Sequence, residues 1–143
     1  MLSSRFAVAV HVLAVQAVMS DRVLTSDFLA GSVNTNPVVV RRILGMLRRA
    51  GLVVVQPGPG GGSRLAKPPN RIRLAEVYRA VEKGELLALH KSPPSRFCPV
   101  GRNIGGVLAE IFCDAEGALE KALEKRSLDE VAAAIKKCAA AGK

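Results

Sequence analysis

The sequence predicts a mainly α-helical chain carrying one small β-hairpin. Three observations predict it. Apolar residues recur three to four apart through most of the chain. One stretch breaks that period: the run Leu52 to Gln56, then Gly58-Pro59-Gly60-Gly61-Gly62, then Arg64 to Ala66, which reads as strand, tip and returning strand. Finally, residues from about Pro99 to Lys125 hold a helical stripe over roughly 40 Å at ~1.5 Å per residue, longer than a small domain needs.

The first helix is expected from about Ser4 to Met19, with Ser3 or Ser4 as its N-cap. Phe6 to Met19 is almost continuously apolar, yet His11 and Gln16 interrupt it and no small-x-small cleavage site precedes Ser20. It is also short of the ~18–20 apolar residues that a membrane span requires. A buried helix and a cytoplasmic protein, with no membrane partner, are the expectation. Leu24-Thr25 is a candidate short strand. Ser26 is the expected cap of a short helix, Asp27 to about Ser32, and Val33 to Asn36 is the turn after it. Asn36 as N-cap with Pro37 at the first helical position opens a third helix, and Gly51 stops it after Ala50.

That third helix has two unlike sides. Val40, Ile43, Leu44 and Leu47 follow core spacing. The opposite arc carries Val38, Arg41, Arg42, Gly45, Arg48 and Arg49, with no acid among them. A merely solvated helix would mix signs to gain i,i+4 pairs. An unmixed cationic arc suits a phosphate-lined groove. The glycine-rich tip is not a nucleotide-binding loop: it lacks a Lys-Ser/Thr ending and no helix follows it. It would let backbone N–H groups approach a phosphate or a minor groove closely.

After Pro68-Pro69 a helix is expected over about Leu74 to Val81, then a connector at 84–98, then the long helix. Along that helix Ile104, Leu108, Ile111, Ala115, Ala118 and Ala122 repeat every three to four residues, with Val107 and Leu119 widening the stripe, and Ile104, Leu108, Ile111, Ala115 and Leu119 are expected to meet a second copy. Gly101 and Gly105 would let two backbones approach. A last helix, about Leu128 to Ala139, would fold back on the assembly. The expected divisions are 1–83, the connector 84–98, and 99–143.

Charge is uneven. Of the net +9, residues 1–73 contribute +8, with Asp21 and Asp27 their only acids. The polyanion-binding half is therefore the N-terminal one. Aromatics are 3% with no Trp, which argues against single-strand binding on stacked rings. Three cysteines, an odd number, suit free thiols. Nothing pairs a nucleophile with a base or sets two carboxylates in a pocket, so an enzyme is the least favoured class. A helix feeding a basic hairpin is the layout of a winged helix-turn-helix with a long dimerisation helix appended.

The order of elements resembles the Rrf-two (BadM-type) bacterial winged-helix regulators. The resemblance is carried by Ser3-Ser4-Arg5-Phe6-Ala7, by the run Leu44 to Val53 with its Leu-Arg-Arg-Ala-Gly-Leu-Val, by Pro59-Gly60-Gly61-Gly62, by Leu65-Ala66, by Ile72-Arg73-Leu74 and by Cys98-Pro99-Val100-Gly101. It implies a homodimer on a palindromic operator in double-stranded DNA, with one third helix per half-site. By position, Val38, Arg41 and Arg42 would read base edges, the arginines favouring guanine. Many relatives have an acidic or amide residue at position 41, so a different operator is implied. Gly60, Gly61, Gly62, Ser63 and Arg64, with Arg5 and Ser26, fall where phosphates or the minor groove are met. Arg48 and Arg49 serve either sequence recognition or plain backbone attraction.

Cluster-binding members place three close cysteines in the connector and a His just inside the long helix. Here the connector holds only Cys98, and Gly101 stands at the His position. No iron–sulfur cluster or other cofactor is expected. Cys98, at a helix N-terminus between Arg96 and Arg102, has the setting of a sensor thiol. The plainer reading, an inherited N-cap residue, outweighs it. Cys113 reads as a small core or interface residue, and His11 as a packed side chain. The competing class is a winged-helix module that binds an acidic protein partner rather than a chosen DNA sequence.

Overall fold

The computed structural model describes residues 3–142, so only Met1, Leu2 and Lys143 of the expected divisions lie outside it. Six α-helices and one antiparallel hairpin follow in order: α1 Arg5–Val18, α2 Ser26–Val33, α3 Pro37–Arg49, β1 Val53–Gln56, β2 Gly62–Leu65, α4 Leu74–Val81, α5 Pro99–Glu124 and α6 Leu128–Gly142. A 3-10 turn, Pro69–Arg71, precedes α4. The expected class, mainly helical with a hairpin wing, is the observed one.

The caps explain the boundaries. Asn36 Oδ1 accepts from Val38 N at 2.8 Å, with Pro37 inside it, so α3 begins where local chemistry demands. Gly51, at φ 79°, ends it. At α2 the cap is Thr25 rather than Ser26: Thr25 Oγ1 accepts from Phe28 N at 3.0 Å, which puts Ser26 inside the first turn. At α1, Ser4 occupies the cap position but makes no capping bond, and Ser3 Oγ accepts from Arg5 N instead.

Ala9, Val12, Leu13, Leu29, Val40, Ile43, Leu47, Leu52, Ile72, Val77 and Val81 form the core. Leu128 and Ala132 of α6 belong to the same cluster, and Leu128 N donates to Ile72 O at 2.8 Å. The last helix therefore packs on its own α1 and completes the N-terminal unit, which the expected division at 99–143 did not anticipate. The hairpin pairs Val53 with Leu65, Val54 with Arg64, Val55 with Ser63 and Gln56 with Gly62. Leu24 adds a one-residue third rung against Ser63, where a short strand was expected.

α5 spans 26 residues, about 39 Å at ~1.5 Å each, and buries none of them fully. Arg79 on α4 clamps its C-terminal half, donating to Glu120 at 2.9 Å and Glu124 at 3.3 Å. The hydrogen bond from Arg79 to Glu120 raises the guanidinium's pKa further above its ordinary range. The connector returns along the helix, with Leu86 N donating to Glu116 Oε2 at 2.9 Å.

Candidate nucleic-acid interface

Helical periodicity sets the character of α3. Its core side, Val40, Ile43, Leu44 and Leu47, is buried, which leaves Val38, Arg41, Arg42, Arg48 and Arg49 exposed on the other. Among the described residues none of these four arginines, nor Arg64 on the wing, has a carboxylate within salt-bridge distance. By contrast Arg5, Arg22, Lys67, Arg79 and Arg126 are all paired. A methyl group added to Gly45 would meet only the Arg49 guanidinium, so the middle of this side is low and lets a partner surface come close.

A crevice of about 370 Å³ joins α3 to the wing. Ser26 and Asp27 from the start of α2, Arg41 from α3, and Gln56, Gly58 and Gly61 from the hairpin line it. Three segments expected to act together thus meet. Gly60, at φ 76°, sits exposed at the tip. Gly61 and Gly62 have a different reason to be glycine. A Cβ at Gly61 would collide with the Gln56 carbonyl oxygen, and one at Gly62 with that of Leu24. Bareness at Gly61 closes the tip onto its own strand, and at Gly62 it lets β2 approach Leu24.

One expected contact needs correction, and a second has a partner within the chain. Ser63 is 1% exposed, and its hydroxyl accepts from Gln16 Nε2 at 2.7 Å. Both its backbone groups pair with Leu24. Strand alternation turns Ser63 inward and Arg64 outward, so Ser63 is not available to phosphate. Arg5 donates to Glu82 Oε1 at 3.2 Å, far along the chain on the residue that ends α4, and is charge-compensated there. Neither partner was legible from spacing.

The α5 stripe also divides. Ile104, Leu108 and Leu119 are half-buried against their own chain, whereas Ile111 and Ala115 are exposed. The free apolar line runs through Val100, Val107, Ile111, Ala115, Ala118 and Ala122. Gly101 is approached closely by the Ser95 carbonyl of its own connector, so its small size serves an intramolecular contact. At Gly105 no atom lies within 4 Å of an added Cβ.

Cys98 is the N-cap residue of α5 and is exposed; Arg102 Nη1 turns to the Arg96 carbonyl at 3.1 Å. Cys113 is exposed rather than in the core, as is Cys138. His11 Nε2 lies 2.9 Å from Ser32 Oγ at an apolar groove of about 750 Å³ between α1 and α6. Among the described residues no helix is long and apolar enough to cross a membrane.

The family profile described as iron-dependent transcriptional regulator, Rrf2, matches residues 2–134. The chain belongs to the Rrf2 family. YwnA of Bacillus subtilis, which carries the name of an HTH-type transcriptional regulator, is 44% identical over 132 residues, covering 92% of this chain and 96% of its own. A solved structure of a candidate DNA-binding protein is 40% identical with a TM-score of 0.71, over 90% of this chain and 98% of that one. CymR, the global cysteine regulator of Bacillus subtilis, shares the fold at 17% identity and a TM-score of 0.68, over 93% of this chain and 96% of its own. The protein is thus an Rrf2-family transcriptional regulator with a winged-helix DNA-binding fold.

The family description raises iron, and the residues present do not fit it. Cys98 and Cys113 lie fifteen residues apart on one helix, about 22 Å. Among the described residues no three His, Cys, Asp or Glu side chains converge as a metal set. One chain of this protein cannot supply the thiolates that an iron–sulfur cluster needs.

Proposed function

We propose that this Rrf2 regulator acts in the cytoplasm as a homodimer on a palindromic operator, reading sequence with α3 and holding the flanking backbone with the wing. The observation that carries the reading is the outward side of α3, where four exposed arginines stand unpaired by any described carboxylate beside a glycine-tipped hairpin. Leaving that much like charge together is unfavourable in the free protein and becomes favourable against phosphates. Val38, at the start of α3, suits a thymine methyl, and Arg41 and Arg42 suit guanine edges. Arg48, Arg49 and Arg64 suit backbone oxygens. The exposed line Val100, Val107, Ile111, Ala115, Ala118 and Ala122 is the surface offered to the second copy. Repression, by occupying the operator, is the direction of action we propose.

The test is selection of duplex DNA from a random pool by the purified protein at stated salt, with and without peroxide. A palindromic motif whose binding weakens in Arg41→Ala and Arg42→Ala is the expected result. A pool that stays random, with capture of an acidic protein instead, would move the reading to a protein-binding module.

A further inference from the structure

Ser63 is buried against Gln16, a residue outside the expected DNA contacts. Gln16 sits on the core side of α1 and is 2% exposed. Its amide reaches Ser63 across 47 positions of sequence, and among the described residues this is the one hydrogen bond between two buried side chains. Gln16 Oε1 has no partner. An apolar side chain of similar length would fill the same space without leaving a lone acceptor, so packing alone does not account for an amide here. What the amide adds is direction: it accepts only one register of the strand opposite.

The wing needs that. It is two strands of four residues, and Val54, Val55 and Gln56 of β1 are all exposed. Such a hairpin has little stability of its own. A slip of one residue would turn Arg64 inward and Ser63 outward. Inside the molecule, Ser63 ties β2 down in three ways, N to Leu24 O at 2.8 Å, O from Leu24 N at 3.0 Å, and the hydroxyl from Gln16, while Leu65 packs against the core. We propose that Gln16 is a positioning residue for DNA binding, fixing from within the register and heading of Gly62–Leu65 so that Arg64 and the glycine tip face the duplex. This rests on the reading of α3 and the wing as the DNA surface.

The test is a cycle of Gln16→Met, Arg64→Ala and the double variant on the full-length protein. Affinity for the selected operator is read against salt, and amide hydrogen exchange at Leu24, Ser63 and α3 is read beside it. Gln16→Met should exchange on the order of tenfold faster at Leu24 and Ser63, with α3 unchanged. It should lose operator affinity on the order of tenfold with a shallower salt slope. In an Arg64→Ala background the further loss should shrink to the part carried by the glycine tip, because the aimed side chain is gone. A general loosening of the fold would instead weaken binding equally in both backgrounds and speed exchange in α3; that outcome overturns the proposal. So does a Gln16→Met protein with wild-type affinity and wild-type wing exchange. Ser63→Ala breaks the same bond from its other end and carries the cycle if Gln16→Met does not fold. A wild-type protein with no duplex preference would fail the functional reading itself, a result visible before any variant is made.

Discussion

Replacing Arg48 and Arg49 by alanine separates phosphate attraction from folding. Both side chains are exposed, neither meets a described carboxylate, and their removal opens no cavity. Both lie in the last turn of α3, where a cation offsets the helix dipole, so the loss in stability should be about 0.3–1 kcal/mol each. That is too little to unfold a protein of ordinary stability. In a homodimer the double change removes four cations from the DNA face. If each neutralises one phosphate, the slope of log K against log salt should become shallower by about 3.6, at roughly 0.9 per contact. Between 50 and 200 mM salt the wild type should therefore lose about 150-fold more affinity than the variant. Fluorescence anisotropy of a labelled operator across that range measures it, with a thermal melt to check the fold. Parallel lines for the two proteins would refute the reasoning, for they would mean that this end of α3 lies away from the backbone.

Four further outcomes are expected. Ile111→Asp should leave the protomer's melt nearly unchanged and halve the mass seen by analytical ultracentrifugation, since Ile111 is exposed on the free line of α5. Leu47→Ala, at 0% exposure beneath the cationic side, should cost about 2–5 kcal/mol in denaturant unfolding. Gly61→Ala should disorder the hairpin tip, because its Cβ meets backbone rather than a movable side chain, and hydrogen exchange at Val55 and Gly62 should rise while the α1 core stays protected. Cys98→Ser should leave operator affinity in reducing buffer intact, and any peroxide-induced release of DNA that persists in it would remove Cys98 as the sensing thiol.

The sequence by itself determined whatever is settled within a turn or two of chain. Asn36-Pro37 and Gly51 bounded α3, the three-to-four spacing of Val40, Ile43, Leu44 and Leu47 split it into a core side and a cationic side, and the glycine run marked the hairpin. Caps, helical period and φ preference are local, so neighbouring residues suffice to read them. Tertiary structure alone decided which polar groups were left free for a ligand. Ser63 looked like a contact until Gln16, from a distant part of the chain, occupied it, and Arg5 took a partner in Glu82 that spacing did not announce. The apolar residues of α5 looked like one stripe until α4 and the connector covered part of it. Gly101 looked like room for a second helix until Ser95 filled it. A residue's availability depends on what packs against it, and residue spacing carries no record of a neighbour brought by folding from dozens of positions away.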